Sequence, residues 1–290
     1  DATGRILPSR MELEADELVL AVEDHGAVYP VTIDPLSNTA NLQLNGTQTG
    51  EQFGHSVATA GDVDGDGYSD VLVGAPSWPF GVENQWRGRG DRFRGSAPGL
   101  VATAAWTMDG PLLESRFGYS LSSAGDVNGD GYSDVVIGAY SYEDPGVPSR
   151  GAGAAYVFHG SATGLPTAAD WSTFSQQFNP SSTSEFGSSV SLAGDVNGDG
   201  YDDVIIGDPY YEHVSDGGNN RGGAFVYHGS PTGLPAAPDW SAFGVDPGDE
   251  FGNSVCYAGD VNGDGHSDVV IGAYLKGTDY QGGAYVFHGA

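Results

Sequence analysis

Basic residues and long apolar runs are scarce in this 290-residue chain, and each shortage excludes a class of protein. Ten Lys and Arg stand against 39 Asp and Glu, the formal charge is -29, and Lys276 is the only lysine. Nucleic-acid binding needs a basic stripe that displaces counterions, so nucleic acid is excluded as a partner. No stretch approaches the ~20 apolar residues of a membrane helix, so membrane insertion is not expected either.

Cysteine is also nearly absent: Cys256 stands alone, which rules out an internal disulfide and a thiolate zinc site. Stability therefore has to come from packing or from ions bound through oxygen atoms. Hydrophobic residues make up 39% of the chain, too many for an acidic disordered tail. The 47 glycines are more than twice the usual share of about 7% and indicate many tight turns between short strands.

The sequence contains four repeats, each opened by a Phe-Gly pair, and these pairs stand 64, 69 and 65 residues apart. After each pair come a short segment ending in Ala-Gly-Asp-Val, an acidic glycine loop and an apolar run such as DVVIGAY. The order never changes, which indicates one supersecondary unit per repeat. The four pairs are Phe53-Gly54, Phe117-Gly118, Phe186-Gly187 and Phe251-Gly252.

Each repeat is predicted to form four strands, a to d, because runs rich in Val, Ile, Tyr and Phe are bounded by Gly and Asp. Short turns between these runs favour an antiparallel meander. Strand b is apolar at successive positions, for example Val204, Ile205 and Ile206, as expected for a sheet covered on both faces. The sequence therefore predicts an all-β fold, a β-propeller of four-stranded antiparallel blades, with a stacked solenoid as the alternative.

Two regions are expected, an N-terminal leader over 1–40 and a propeller over 41–290. In the leader, residues 17–22 and 27–33 are predicted to form a β-hairpin that turns at Gly26, and a helix over Met11 to Val22 is the alternative. Asn41 to Leu44 resembles a strand d with no strands a to c before it. This orphan strand is expected to complete the last blade or a neighbouring molecule's blade, unless the 290 residues belong to a longer array.

The acidic loop between strands a and b follows the pattern D-V-[DN]-G-D-G-x-x-D in every repeat. Side-chain oxygens at positions 1, 3, 5 and 9 and the carbonyl at position 7 can surround one hard cation, while glycines at positions 4 and 6 permit the tight turn. The expected metal ligands are Asp62, Asp64, Asp66, Tyr68, Asp70, Asp126, Asn128, Asp130, Tyr132, Asp134, Asp195, Asn197, Asp199, Tyr201, Asp203, Asp260, Asn262, Asp264, His266 and Asp268.

Calcium fits this donor set best, because magnesium wants a stricter octahedron and zinc would want His or Cys, whereas His266 offers only its carbonyl. The carboxylates of one loop would repel one another without a cation, so a merely solvated turn is disfavoured. An EF-hand is excluded because position 12 is Val or Ile within a strand, and a dockerin because no leucine-periodic helix follows. Four Ca²⁺ ions are expected, and their eight charges would change -29 to -21.

With Phe-Gly, the acidic loop and Gly74-Ala75-Pro76 in place, residues 41–290 resemble FG-GAP repeats, as in the propeller of integrin alpha subunits. The resemblance implies a calcium-binding extracellular β-propeller, secreted or on the cell surface, used in adhesion or ligand binding. Residues Ala27 to Pro35 resemble leaders of such repeats in large bacterial secreted proteins. Integrin propellers have seven blades and fewer metal loops, whereas this chain has four repeats with a loop in each, which leaves blade number and ligand open.

No H-E-x-x-H or G-x-S-x-G motif is present, so a non-catalytic binding or structural module is expected rather than an enzyme. An accessory domain of a secreted polysaccharide hydrolase or lyase, and a self-assembling subunit joined by strand exchange, are the alternatives. The loops between strands b and c lie on the face opposite the metal loops and carry aromatic residues that suit a protein or glycan ligand, or that cap the blade interfaces. These residues are Trp78, Trp86, Tyr140, Tyr142, Tyr210, Tyr211, Tyr274 and Tyr280.

Overall fold

The computed structural model describes residues 9–14, 17–22, 40–79, 86–143, 151–175, 184–212, 220–277 and 279–290. Throughout these ranges the only regular elements are β-strands, so the predicted all-β class is confirmed. None of the described residues forms a helix that is long and apolar enough to cross a membrane. The chain divides into two compact units, Asp1–Gln43 and Leu44–Ala290.

The first unit contains one antiparallel hairpin, formed by β1 (Ser9–Glu14) and β2 (Glu17–Val22), with Met11 opposite Leu20. The predicted strand over 17–22 is therefore confirmed, and the alternative helix over Met11 to Val22 is wrong. The partner of β2 in this hairpin is β1 rather than the predicted segment 27–33, which lies outside the described residues together with Gly26. Apolar and charged residues alternate along Ser9–Glu14, which is the period of a strand, although Glu and Leu favour helix.

The second unit consists of four sheets, one for each repeat, and in each sheet neighbouring strands are antiparallel and follow sequence order. The first three sheets have four strands and the fourth has three. This is the predicted meander, in which strands that are neighbours in sequence pair with each other. The strands are β3 (Ser56–Gly61), β4 (Asp70–Ala75), β5 (Arg89–Phe93) and β6 (Ala104–Asp109); β7 (Ser120–Gly125), β8 (Asp134–Ala139), β9 (Ala154–Phe158) and β10 (Trp171–Phe174); β11 (Ser189–Gly194), β12 (Asp203–Asp208), β13 (Gly223–Tyr227) and β14 (Trp240–Phe243); and β15 (Phe251–Gly259), β16 (Asp268–Ala273) and β17 (Gly283–Phe287).

Strand b is completely buried in both central blades, since every residue of β8 and β12 is buried. Side chains from adjacent blades meet around it: Val136 and Val157 of the second blade join Ile206 and Phe225 of the third blade in one apolar cluster. The run of apolar residues without alternation is thus explained, because both faces of strand b are covered by neighbouring sheets.

Matched polar contacts join the first blade to the second and the second blade to the third. The Ser56 hydroxyl donates to the Gly118 carbonyl of the second blade at 2.7 Å, and the Ser120 hydroxyl donates to the Gly187 carbonyl of the third blade at 2.7 Å. On the metal-loop side, the indole N–H of Trp106 in strand d donates to the carbonyl of Pro166 in the following repeat at 2.7 Å. The propeller stack is therefore fixed by repeated bonds between blades as well as by apolar packing.

The outer faces of the first and fourth blades expose residues whose counterparts are buried between blades. Val57 in β3 is 67% exposed, whereas Val190 at the matched position of the third blade is 6% exposed. In the fourth blade Val286 is 53% exposed, whereas Val226 of the third blade is 2% exposed. Among the described residues, the two central blades are therefore covered on both faces, while each terminal blade is covered on one face only.

The structure assigns no strand to residues 40–46, which include the predicted orphan strand Asn41 to Leu44. The fourth sheet ends at β17, so its expected fourth strand is not seen in the described part of the chain. The three residues 41–43 have exposed side chains, and only Leu42 among them is apolar. Completion of a blade by this segment stays a prediction.

Candidate metal centre

The four acidic loops begin directly after strands β3, β7, β11 and β15 and end where the next strand begins. In the second loop, Gly129 and Gly131 have φ values of 73° and 89°, a left-handed conformation that residues with a Cβ atom rarely adopt. Corresponding glycines of the other three loops have the same sign of φ. The glycines at positions 4 and 6 therefore allow nine residues to fold back tightly enough to bring their carboxylates together.

The carboxylates fold the loop by accepting its own backbone amides. Asp126, at position 1, accepts the amides of Asp130 and Gly131 at 3.0 and 2.8 Å. Asp130, at position 5, accepts the amide of Tyr132 at 3.0 Å and the side-chain amide of Asn128 at 2.9 Å. Every carboxylate oxygen has more than one lone pair, so these bonds leave acceptor capacity for a cation. The loop thus holds its oxygen atoms in place before any ion binds.

Matched bonds recur in the other three loops, which sequence reasoning predicted only as a shared pattern of residues. Asp62, Asp195 and Asp260 each accept the amides at positions 5 and 6, at distances between 2.8 and 3.1 Å. Each position 5 carboxylate accepts the amide at position 7. The four predicted metal loops therefore have one common hydrogen-bond design.

Position 9 has a structural contact that the sequence did not reveal. Asp134 is fully buried and accepts the amide of Val127 in its own loop at 3.0 Å and that of Gly160, at the end of strand c, at 2.8 Å. Burial raises the pKa of Asp134 to about 7, although these two amides oppose the shift. Burial likewise raises the pKa of Asp203, at the matched position, to about 6. A nearby divalent cation would favour the ionised form of such a carboxylate.

The first loop brings three carboxylate oxygens, from Asp62, Asp64 and Asp66, within 4.8 Å of one another, close enough to hold a metal ion. The Oδ1 atom of Asp64 is buried and has no hydrogen-bond partner among the described residues. An all-oxygen donor set with bound carboxylates suits a hard cation such as calcium. The type of donor atom therefore suits the predicted ion, but guanidinium groups already contact the carboxylates of Asp64 and Asp66.

The first loop also differs from the others, because two arginines reach into it from the end of strand c. Arg92 donates to Asp64 and, at 2.8 Å, to Asp70, while Arg94 donates to Asp66 at 2.9 Å. The sequence comparison aligned this stretch, GDRFRG, only as a degraded strand c. The missed signal was Asp64, since the third position is Asn in the other three loops.

Five of the eight predicted ligand-binding aromatics are held in contacts within the chain. The guanidinium carbons of Arg89 and Arg116 lie 3.4 and 4.0 Å from the ring centroids of Trp78 and Trp86. The ring of Tyr140 lies 4.4 Å from that of Tyr119, and the matched residues Tyr142 and Tyr211 pack against buried apolar clusters. These contacts agree with the alternative in which aromatic residues cap the blade interfaces.

The other three aromatics belong to the third and fourth blades. Tyr274 and Tyr280 are 54% and 71% exposed. Burial and then the charge of Glu250 raise the pKa of Tyr210, and the charge of Glu250 also raises the pKa of Tyr274. Burial raises the pKa of Glu185, and the nearby charges of Asp208 and Glu250 raise it further. We call Glu185, Tyr210, Glu250 and Tyr274 the acidic tyrosine patch.

Asp208 lies under this patch, where the third repeat has Gly-Asp-Pro in place of Gly-Ala-Pro. Its carboxylate accepts the hydroxyls of Ser175 and Ser184 at 3.0 and 2.5 Å and the amide of Glu185 at 3.2 Å. Complete burial raises the pKa of Asp208 to about 6 despite these bonds. The departure from the repeat pattern therefore places a hydrogen-bonded acid next to the exposed patch.

Meander sheets stacked face to face, with a preorganised acidic loop in each, define a repeat protein of the β-propeller class with one candidate cation site per blade. The model of the FG-GAP repeat matches residues 53–90, 117–158, 186–227 and 251–287. The chain therefore belongs to the FG-GAP repeat family.

Integrin alpha chains are among the relatives of this protein. Integrin alpha-PS2 of Drosophila melanogaster is 34% identical over 237 residues, which are 77% of this chain and 15% of the relative. Integrin alpha-V of Gallus gallus is 30% identical over 232 residues, 77% of this chain and 20% of the relative. Integrin alpha-PS5 of Drosophila melanogaster is 36% identical over 174 residues, 59% of this chain and 16% of the relative. The match thus spans a fifth or less of the length of these relatives.

Proposed function

We propose that this chain is a calcium-binding, extracellular β-propeller that acts as a non-catalytic module for adhesion or ligand binding. The observation that carries the proposal is the common hydrogen-bond design of the four loops, in which amides orient carboxylates that would otherwise repel one another. Calcium would be held by the oxygens at positions 1, 3, 5 and 9 and the carbonyl at position 7. Similarity to integrin alpha chains supports the adhesive role and the extracellular setting.

Calcium would link strand a to strand b of each blade, because its ligands span the turn between them. An ion that binds only the folded state stabilises it by RT ln(1 + [Ca]/Kd), or about 2.7 kcal/mol per site at a hundredfold excess over Kd. The millimolar calcium outside cells would fill even weak sites. The proposed calcium sites therefore stabilise the blades and take no part in a reaction.

Removing calcium with excess EDTA is expected to lower the melting temperature of the full chain substantially, because several such sites would be emptied together. Differential scanning calorimetry in calcium, in magnesium and in EDTA measures the effect. Magnesium at the same concentration serves as the control and should restore less stability, because these loops offer too many protein oxygens for its hydrated octahedron. Identical melting curves in calcium and EDTA would contradict the proposal.

The acidic tyrosine patch is the proposed contact surface for a protein ligand with basic side chains. Exposed Tyr274 contributes apolar area with a polar tip, and the carboxyl groups of Glu185 and Glu250 offer acceptors that suit basic side chains. Biolayer interferometry of the full chain against a panel of matrix proteins and glycans would identify the ligand. The double variant Glu250→Gln and Tyr274→Ala should then weaken binding at least tenfold, whereas Tyr257→Ala, at the end of β15 next to the fourth acidic loop, should not. Unchanged affinity of the double variant would assign binding to another surface.

A further inference from the structure

The first acidic loop differs from the other three at three matched positions. Its third position is Asp64, where the others have asparagine. The partner strand carries Arg92, where β9, β13 and β17 have valine, and next to that strand stands Arg94, where the others have histidine. At these three positions, the first repeat thus has one acidic side chain and two arginines that the other repeats lack. The counterparts are Asn128, Asn197 and Asn262; Val157, Val226 and Val286; and His159, His228 and His288.

Arg92 is a buried ion-pair partner rather than a surface residue that happens to lie near the loop. Its side chain is 3% exposed, and the side chains of Asp64 and Asp70 are 8% and 0% exposed. Two guanidinium nitrogens of Arg92 bond to Asp70, at 2.8 and 2.7 Å, and one also bonds to Asp64. A buried guanidinium needs such partners, because it remains charged and keeps its donors. Asp64 and Asp70 are therefore committed to Arg92.

Arg94 adds a second positive charge at the open side of the loop. Its Nε atom lies 2.9 Å from Asp66 and 3.1 Å from Asp64. Three of the four carboxylates in the loop therefore pair with a guanidinium. The four acids and two arginines of this region sum to a charge of -2, whereas the acids at the ligand positions give -3 in each of the other loops and Asp202 adds one more negative charge in the third. The first loop is the least attractive of the four for a divalent cation.

The donor atoms that remain in the first loop are too few for calcium. Asp62 accepts the amides of Asp66 and Gly67, and the buried Oδ1 of Asp64 is the only oxygen of that carboxylate without a guanidinium contact. Calcium takes six to eight oxygen ligands, so it would have to displace both arginines. The close approach of the carboxylates in this loop is explained by the guanidinium groups that lie against Asp64, Asp66 and Asp70.

We propose that the guanidinium groups of Arg92 and Arg94 take the place of calcium in the first loop. This loop consequently stays free of calcium at concentrations that fill the second, third and fourth loops. This inference rests on the proposed calcium-binding function and refines its stoichiometry from four ions to three. The negative charge of the first loop would then be balanced by its own arginines, whereas the other three loops would be neutralised by external calcium.

Native mass spectrometry and isothermal titration calorimetry of the full chain test this stoichiometry. Three calcium ions per chain are expected, and Asp66→Asn should leave three, whereas the matched variant Asp130→Asn should leave two. Four ions on the wild-type chain, or a loss of one ion in Asp66→Asn, would overturn the inference. No bound calcium at all would instead refute the proposed function, so the two failures are distinguishable.

A triple variant, Asp64→Asn with Arg92→Val and Arg94→His, gives the first repeat the residues of the other repeats. It is expected to bind four calcium ions, with circular dichroism confirming that it remains folded. A folded triple variant that binds three ions would show that the arginines do not exclude calcium and would overturn the inference. If the triple variant does not fold, the comparison of Asp66→Asn with Asp130→Asn still decides, because both substitutions are nearly isosteric.

Discussion

Replacing Phe186 with alanine is expected to lower the free energy of unfolding by about 3–5 kcal/mol. Phe186 opens the third repeat, is 2% exposed and lies in the apolar cluster that joins the second and third blades. Its ring centroid lies 5.8 Å from that of Phe225 in the same blade. The substitution would leave a cavity in the apolar cluster between these two sheets. Equilibrium urea denaturation, followed by tryptophan fluorescence, measures the loss.

The first repeat supplies the matched control for this substitution. Phe53 occupies the same motif position but is only half-buried, because no blade precedes it in the described structure. Its recorded ring contact is with Phe93, at 6.2 Å between centroids. Phe53→Ala should therefore lower the free energy of unfolding by about 1–2 kcal/mol less than Phe186→Ala does. Equal losses of unfolding free energy in the two variants would mean that burial between blades is not the reason why phenylalanine stands at this position of the repeat.

The blades could be predicted from the sequence because each one is specified locally and four times over. An apolar run bounded by Asp and Gly, such as Asp134 to Gly138, carries the strand signal within itself, and short turns leave a meander as the simplest pairing. The acidic loops could likewise be predicted from the sequence, because the proposed ligand residues of each loop lie within nine positions. The fourfold repetition supports each strand assignment, since an error in one repeat would conflict with the matched strands of the other three.

Long-range partners could not be predicted in this way. The choice of Ser9–Glu14 rather than 27–33 as partner for β2 depends on pairing between segments that are both plausible strands. The contact of Arg92 with Asp64 spans 28 residues and breaks the repeat pattern, so alignment of the repeats treated it as decay. The double role of Asp134, which joins its loop to Gly160, depends on the distance between two turns in the folded blade.

The glycines of the repeat have a reason that also becomes visible only in the folded chain. A Cβ atom built on Gly74 would collide with the Gly118 carbonyl of the next blade, and one built on Gly138 with the Gly187 carbonyl. The glycine of Gly-Ala-Pro or Gly-Ala-Tyr in one repeat therefore faces the glycine of Phe-Gly in the next. Two short motifs that lie far apart in sequence are thus the two sides of one close contact between blades.

Gly138→Ala is therefore expected to destabilise the chain by about 3 kcal/mol, the upper end of the usual cost of overpacking a core. The added methyl group would strike the Gly187 carbonyl, which is backbone and cannot rotate away, and would displace the Ser120 hydroxyl from that carbonyl. Gly272→Ala is the control, since its nearest obstacle is the Ser254 hydroxyl, a side chain that can turn, and no following blade is described there. We expect the control to cost about 1 kcal/mol or less in the same urea titration, because only a rotamer has to change. If Gly138→Ala were tolerated as well as Gly272→Ala, the blades would be separated more widely than the repeated contacts between them imply.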